Sequence, residues 1–214
     1  MPKSTNKTRK IYMDYASSVR ANPSSIHREG VKAHAKLEDA RGVVARALFA
    51  RSEEIIFTSG GTESNNLAIQ GVVLAWQGKG IPHIITTNIE HPSVLETFKL
   101  LAKRKLALIS IISVEANGII DPEKIKKEIK KNTALISVHY ANNEIGTIQP
   151  IREIAKVIRH YKKHNKRNNI FFHTDAVQAA NYLDLNVEKL GVDMLTLSGS
   201  KIEGATPKDG QAGR

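Results

Sequence analysis

Apolar residues recur along this chain in two rhythms. Short runs rich in branched and aromatic side chains, at residues 54–58, 83–87, 106–114, 134–140, 170–175 and 194–197, read as strands. Between them the apolar positions fall at helical spacing. In the stretch 61–76, Leu67, Ile69, Val72, Val73 and Trp76 supply one face. Residues 93–104 continue the pattern, and Ile151, Ile154, Ala155, Ile158 and Tyr161 mark a further helix. Asp121-Pro122-Glu123 is a helix start, with a capping carboxylate, a proline at the first helical position and an acid in the first turn; that helix is expected to end near Lys131. Ser24 or Ser25 is placed to cap a long helix running to Phe49. Strands alternating with helices predict an α/β fold with a mostly parallel sheet flanked by helices. No internal repeat interrupts the pattern. Residues 1–10 read as a basic tail, and residues 203–214, Gly/Pro-rich and polar, carry no element signal.

Composition narrows the function classes. Hydrophobic residues make up 41% of the 214 and charged ones 25%, the balance of a globular chain with a substantial core. No apolar run approaches the ~20 residues of a membrane span, so no membrane partner is expected. The first ten residues lack the apolar centre of a secretory signal. Cysteine is absent, which removes disulfides, thiolate metal sites and a cysteine nucleophile from this chain and fits a cytoplasmic location. The net charge of +11 raises the question of nucleic acid. Much of that excess lies in residues 124–131, where lysines flank isoleucines four apart as on a solvated helix face, and in 162–167 at a helix end, where cations suit the dipole. With aromatics at only 5%, stacking platforms for bases are scarce, and no nucleic-acid partner is expected. A basic surface still attracts an anionic cofactor.

Candidate chemistry sits at the ends of the strand-like runs. In an open parallel sheet, ligands bind beyond the carboxyl ends of the strands. Thr62, His91, Asn143, Asp175 and Ser198 all follow such ends and should gather on one edge. Ser59-Gly60-Gly61-Thr62 opens a helix, where glycine lets the backbone approach and free amides favour phosphate; it also fits an ordinary Gly/Ser turn with a threonine cap. His91 offers a flat ring for stacking and for proton transfer, or is a helix-entry histidine with a local hydrogen bond. Asp175 closes a very apolar run, so its carboxylate should be buried and need a partner; a pyridinium N–H is one, and a helix-cap role is the other. Gln178 follows three residues on, within reach of a ring hydroxyl. Ser198-Gly199-Ser200-Lys201 places two hydroxyls beside a lysine that is either an amine nucleophile or a loop cation. A nucleophilic amine, a buried acid, a histidine and a phosphate-binding turn together are the parts of a pyridoxal 5'-phosphate (PLP) site. No metal site is suggested.

Taken in order, these segments resemble the PLP-dependent cysteine desulfurases of the class V aminotransferase group. The matching stretches are Ile11-Tyr12-Met13-Asp14-Tyr15-Ala16, Asn22-Pro23-Ser24-Ser25-Ile26-His27, and Phe57-Thr58-Ser59-Gly60-Gly61-Thr62-Glu63-Ser64-Asn65-Asn66. They continue with Glu90-His91, His139-Tyr140-Ala141-Asn142-Asn143-Glu144-Ile145-Gly146, Asp175-Ala176-Val177-Gln178 and Ser198-Gly199-Ser200-Lys201-Ile202. The resemblance covers residues 11–202 and implies the large domain of the PLP-dependent transferase fold type I, incomplete at its C-terminal side. It implies that Lys201 carries the cofactor, that Asp175 pairs with the ring nitrogen and that His91 stacks on the ring. It assigns Gln178 and Asn143 to the ring hydroxyl, and Gly61, Thr62, Ser198 and Ser200 to the phosphate. Many relatives have histidine where Ser200 stands; serine still donates to phosphate.

The family activity so implied is conversion of L-cysteine to L-alanine and sulfane sulfur for iron–sulfur clusters or tRNA thiolation, with a sulfur-acceptor scaffold protein as partner and a homodimer as the full-length form. The persulfide-forming cysteine, the substrate-binding arginine and the C-terminal domain of the family have no counterpart in this chain, so it is expected to be inactive alone. In the family's topology a further strand runs between the 194–197 and 54–58 strands. Without it, 54–58 is expected to lose its only sheet neighbour and the chain to fold poorly. Two other readings remain open: another class V enzyme, an aminotransferase or lyase needing no cysteine, or a non-catalytic fragment or interaction module.

Overall fold

The computed structural model describes residues 21–76, 80–166 and 169–202; the Ile11–Ala16 stretch and both terminal tails lie outside the described residues. The chain divides into two compact units after Ile55. The first carries helix α1 (Arg28–Leu48) and a 3-10 turn (Ser52–Glu54). Neither Ser24 nor Ser25 caps α1. Asn22 folds residues 22–25 into a turn, its side chain accepting from Ser24 N at 2.9 Å and its carbonyl from Ser25 N at 3.0 Å. The helix therefore starts later, where His27 Nδ1 accepts from Gly30 N at 3.1 Å. It ends at Phe49, in the left-handed region at φ 57°.

The predicted strand at 54–58 does not form: residues 52–54 close the 3-10 turn and 55–58 belong to no ladder. The reason is the absence of a partner. The last strand of the sheet pairs on one side only among the described residues, and an apolar run with no neighbouring ladder has nothing to satisfy its amides as a strand. Ile56 and Phe57 are accordingly exposed.

The second unit is a five-stranded sheet, β1 (His83–Thr87), β2 (Leu108–Ile112), β3 (Thr133–Ser137), β4 (Phe171–Asp175) and β5 (Met194–Thr196), in the order β2-β1-β3-β4-β5 with every pairing parallel. Its helices are α2 (Gly61–Ala75), α3 (Pro92–Lys103), α4 (Pro122–Glu128), α5 (Ile151–His164) and α6 (Val187–Leu190). Successive strand residues point to opposite faces, and the two cores follow from that alternation. Ile84 and Leu135 face α2 and α3, where they meet Ile69, Val73, Val94, Phe98 and Leu101. Ile85, Ile136 and Phe172 face the other way, against Ile125, Ile151, Ile154 and Ile158 of α4 and α5. Burial on both faces is why these strands read as continuous apolar runs.

Two elements depart from the periodicity. Helix α4 stops at Glu128 because Ile129 turns extended and Lys130 N bonds Thr133 Oγ1 at 2.7 Å, leading the chain straight into β3. Helix α6 was not legible at four residues. It is set by local chemistry: Asn186 accepts from Lys189 N at 3.0 Å, and Gly191 closes it at φ 72°. A Cβ on Gly191 would stand 2.9 Å from Ala155 Cβ of α5, so glycine is required there twice over.

The sheet predicts a sharp contrast between neighbours. Phe172 is 1% exposed and Phe171 45% exposed. Phe172→Ala should cost about 3–5 kcal/mol in urea unfolding, and Phe171→Ala well under half of that. Equal losses would place the wrong face of β4 in the core.

Candidate functional site

All five strands run the same way, so their carboxyl ends share one edge. The chain reverses its direction of travel across the sheet between β1 and β3, and ligands in open α/β sheets bind at such a reversal. His91 follows β1, Asn143 follows β3, Asp175 ends β4 and Ser198 follows β5. Thr62 follows no strand but lies in the first turn of α2, and α2 reaches the same edge through Gly61 and Asn65.

Asp175 anchors this edge. The residue is 7% exposed. Asn65 Nδ2 donates to Oδ2 at 2.7 Å, and Val177 N donates to Oδ1 at 3.0 Å. A carboxylate has about four acceptor positions, so each oxygen keeps one in hand. The same Asn65 nitrogen donates to Ser93 Oγ at 2.8 Å. Ser93 Oγ in turn lies 2.7 Å from His91 Nδ1, and Ser93 N donates to that nitrogen at 3.1 Å. His91 thus caps α3 with its ring exposed.

Beneath this row lies a second acid. Glu90 is buried; its Oε1 accepts from Thr87 Oγ1 at 2.6 Å and from His139 N at 3.1 Å, which ties the loop after β1 to the loop after β3. Asn142 adds to the tie, donating to Ile89 O at 3.0 Å and accepting from Glu144 N and Ile145 N. Burial pushes the Glu90 carboxyl up to about 8, and the negative Asp175 adds to the rise. Glu90 Oε2 and His139 Nε2 are buried without a hydrogen-bond partner.

A cradle for an anion lies beside Asp175. A Cβ on Gly61 would stand 2.9 Å from Val177 Cγ2 and 3.7 Å from Ser198 Cβ, so only glycine lets the start of α2 come this close to the segments after β4 and β5. No side chain caps α2 at Gly60, which leaves first-turn amides for a ligand. Ser198 Oγ and Ser200 Oγ are 2.8 Å apart, and Thr62 is exposed. Uncapped amides, paired hydroxyls and a buried carboxylate with spare lone pairs match a group carrying a phosphate at one end and a protonated ring nitrogen at the other. Lys201 ends a short 3-10 turn with its side chain exposed; its carbonyl accepts from Asn181 Nδ2 at 2.7 Å. Asn143 is exposed and Gln178 half-buried, and neither side chain is hydrogen-bonded among the described residues.

Asn65, Ser93 and Glu90 were not among the candidate site residues. Asn65 carried a readable signal. It shares one helix face with Ile69 and Val73, four and eight residues on, and all three are buried. A polar side chain in an apolar phase needs a buried partner. Ser93 and Glu90 carried no comparable mark, because Glu90 stands in the turn that leads into α3 and Ser93 in the first turn of that helix, where a polar residue is ordinary and interrupts no apolar phase.

The buried titratable groups set a pH optimum for stability. Folded Glu90 keeps its proton up to about pH 8, whereas a free glutamate loses it near 4.5. Its contribution is therefore complete below 4.5 and lost as pH rises through 8. Burial holds His83, His139 and His173 down to about 4 from 6.5, so these oppose acid: stability falls as pH drops from 6.5 toward 4. Stability should peak near pH 6.5. Between 6.5 and 8, urea unfolding of the native chain should lose roughly 2 kcal/mol at most, and Glu90→Gln, which keeps the acceptor oxygen, should abolish that fall. An equal fall in both proteins would remove Glu90 as its source.

Comparison with known proteins agrees with this architecture. Residues 2–206 match the family described as aminotransferase class-V. Cysteine desulfurase IscS of Dictyoglomus turgidum is 44% identical over 213 residues, a match covering 92% of this chain and 52% of that protein. Cysteine desulfurase IscS of Methanosarcina thermophila is 43% identical over 192 residues, covering 90% and 45%. The solved structure of SspA in complex with cysteine superimposes with a TM-score of 0.79 at 39% identity, covering 88% of this chain and 51% of that one. The chain spans about half the length of the curated relatives it matches. With the parallel sheet and its carboxyl-edge cluster, these matches place the chain in the class V aminotransferase family, among its cysteine desulfurase-like members.

Proposed function

We propose that this chain is the cofactor-binding part of a cysteine desulfurase, holding PLP at the carboxyl edge of its sheet. The observation that carries the reading is Asp175, a buried carboxylate with spare lone pairs beside the uncapped start of α2. PLP, when bound, supplies the electron sink for chemistry at the α-carbon of an amino acid. Asp175 accepts the ring N–H, and Asn65 and Val177 N keep that carboxylate aimed. The amides of Gly61 and Thr62, with the hydroxyls of Ser198 and Ser200, hold the phosphate. His91 offers the flat face of its ring, Gln178 and Asn143 reach the ring hydroxyl, and the Lys201 amine is the attachment point.

The whole protein's reaction, on this reading, takes L-cysteine to L-alanine and passes sulfane sulfur to an acceptor scaffold for iron–sulfur clusters or tRNA thiolation, as a cytoplasmic homodimer. Sulfur transfer to an enzyme thiolate has no acceptor among these 214 residues, since none is cysteine.

Two outcomes test this. Borohydride reduction of the PLP-loaded chain followed by peptide mapping should place the label on Lys201, and Lys201→Ala should abolish it; label spread over many lysines would overturn the assignment. Sulfide release from L-cysteine should not exceed that of free PLP under the same conditions. Catalytic release that depends on Lys201 would mean that another group replaces the thiolate.

A further inference from the structure

We propose that Asn65 is a positioning residue that acts through Ser93 to fix His91 as its Nε2–H tautomer, while it holds Asp175 as a hydrogen-bond acceptor. The proposal deepens the PLP reading and rests on it for the roles of Asp175 and His91. The tautomer is a property of the chain without cofactor.

The direction of every bond in this row follows from donor counting. An ionised carboxylate only accepts, so the amide nitrogen of Asn65, not its oxygen, must face Asp175 Oδ2 at 2.7 Å. That nitrogen has two protons, and the second goes to Ser93 Oγ at 2.8 Å. Ser93 Oγ is thereby an acceptor toward Asn65, and its single proton is left for His91 Nδ1 at 2.7 Å. Ser93 N–H also points at Nδ1, at 3.1 Å. Two donors converge on one ring nitrogen. A nitrogen that accepts carries no proton, so the neutral ring carries its proton on Nε2.

The surroundings keep the row in place. Asn65 is 1% exposed, and its Oδ1 is buried with no partner, so the side chain is held by its N–H side alone. The Ser93 carbonyl accepts from Thr97 Oγ1 at 2.8 Å and from Asn66 Nδ2 at 3.4 Å, which pins the residue that relays the bond. Asn65 lies 110 residues from Asp175 and 28 from Ser93. One amide thus joins α2, the end of β4 and the start of α3. Aspartate at 65 would set two carboxylates together, and leucine would leave Asp175 short of a donor.

The chemical consequence concerns which group takes a proton. With Nδ1 occupied by two donors and Nε2 protonated, neutral His91 presents only a donor on its free side. It can orient an acceptor on a ligand but cannot accept a proton from a substrate carbon.

The test is nitrogen-15 NMR of the full chain, histidine-labelled and free of cofactor, at a pH where the His91 ring is neutral. One His91 nitrogen should show the shift of an unprotonated Nδ1 and the other that of a protonated Nε2. Ser93→Ala and Asn65→Ala should each draw the two shifts part of the way toward each other, since the longer bond from the backbone N–H of residue 93 at 3.1 Å remains while the hydroxyl donor at 2.7 Å is lost or freed to turn, and Ser93→Thr, which keeps the hydroxyl, should restore the native pair. A protonated Nδ1, averaged shifts in the native chain, or native shifts that survive both alanine variants would overturn the proposal. If Asn65→Ala does not fold, the native shifts and the Ser93 pair decide alone. Absorbance of the chain with PLP is read separately, so failure to bind cofactor leaves the tautomer result standing.

Discussion

A carboxylate buried at the end of a sheet strand is expensive, and the cost of burying Asp175 organises the rest of this molecule. It is met by Asn65 from a helix and by Val177 from the backbone turn that follows β4. Each of those donors has its own requirement. Asn65 reaches the acid only because α2 starts close to the sheet edge, and α2 comes that close only because residue 61 has no side chain. Val177 donates only because the chain turns immediately after the strand. The acid therefore dictates a glycine, an amide and a turn in distant parts of the sequence.

Glu90 is handled differently. It is buried and carries its proton at neutral pH, using one oxygen to tie the loops after β1 and β3. Two acids a few residues from one another in space are thus held in different ways: Asp175 is given donors on both oxygens, and Glu90 is left short of them. Two of the buried histidines spend both ring nitrogens within the sheet, His83 between Thr133 and Ser110, and His173 between Ser137 and Thr196. They stitch neighbouring strands and do not face the edge where the site lies.

The fold was legible wherever an element buries both faces or a full stripe. β1 and β3 read as strands because every residue in them is buried, and α5 read as a helix because its apolar stripe is unbroken. Residues 55–58 misled because an apolar run becomes a strand only when a ladder is offered to it. The burial of Asp175 could be inferred from the run it ends. The link from Asn65 to Ser93 could not, since it joins residues on two helices whose meeting is decided by the sheet between them. The surroundings of Lys201 were also out of reach of pattern: the short turn that carries it closes on its own backbone bonds and receives a further bond from Asn181, 20 residues back.

The 110-residue separation between Asn65 and Asp175 has a consequence for how the molecule is made. Closing so long a loop carries an entropic cost that local helix contacts do not, so this contact belongs to the late part of folding. During synthesis α2 leaves the ribosome long before β4 does, and its inward-facing amide must wait through the making of three strands. In that interval Asn65 has Ser93 of α3 for a partner, and the sheet edge lacks Asp175. The row from Asn65 to His91 is completed at its acid end only when β4 docks beside β3, so the half of the sheet made first carries His91 and Asn143 without the carboxylate, and the last parallel strands to join supply Asp175 and lead into Lys201.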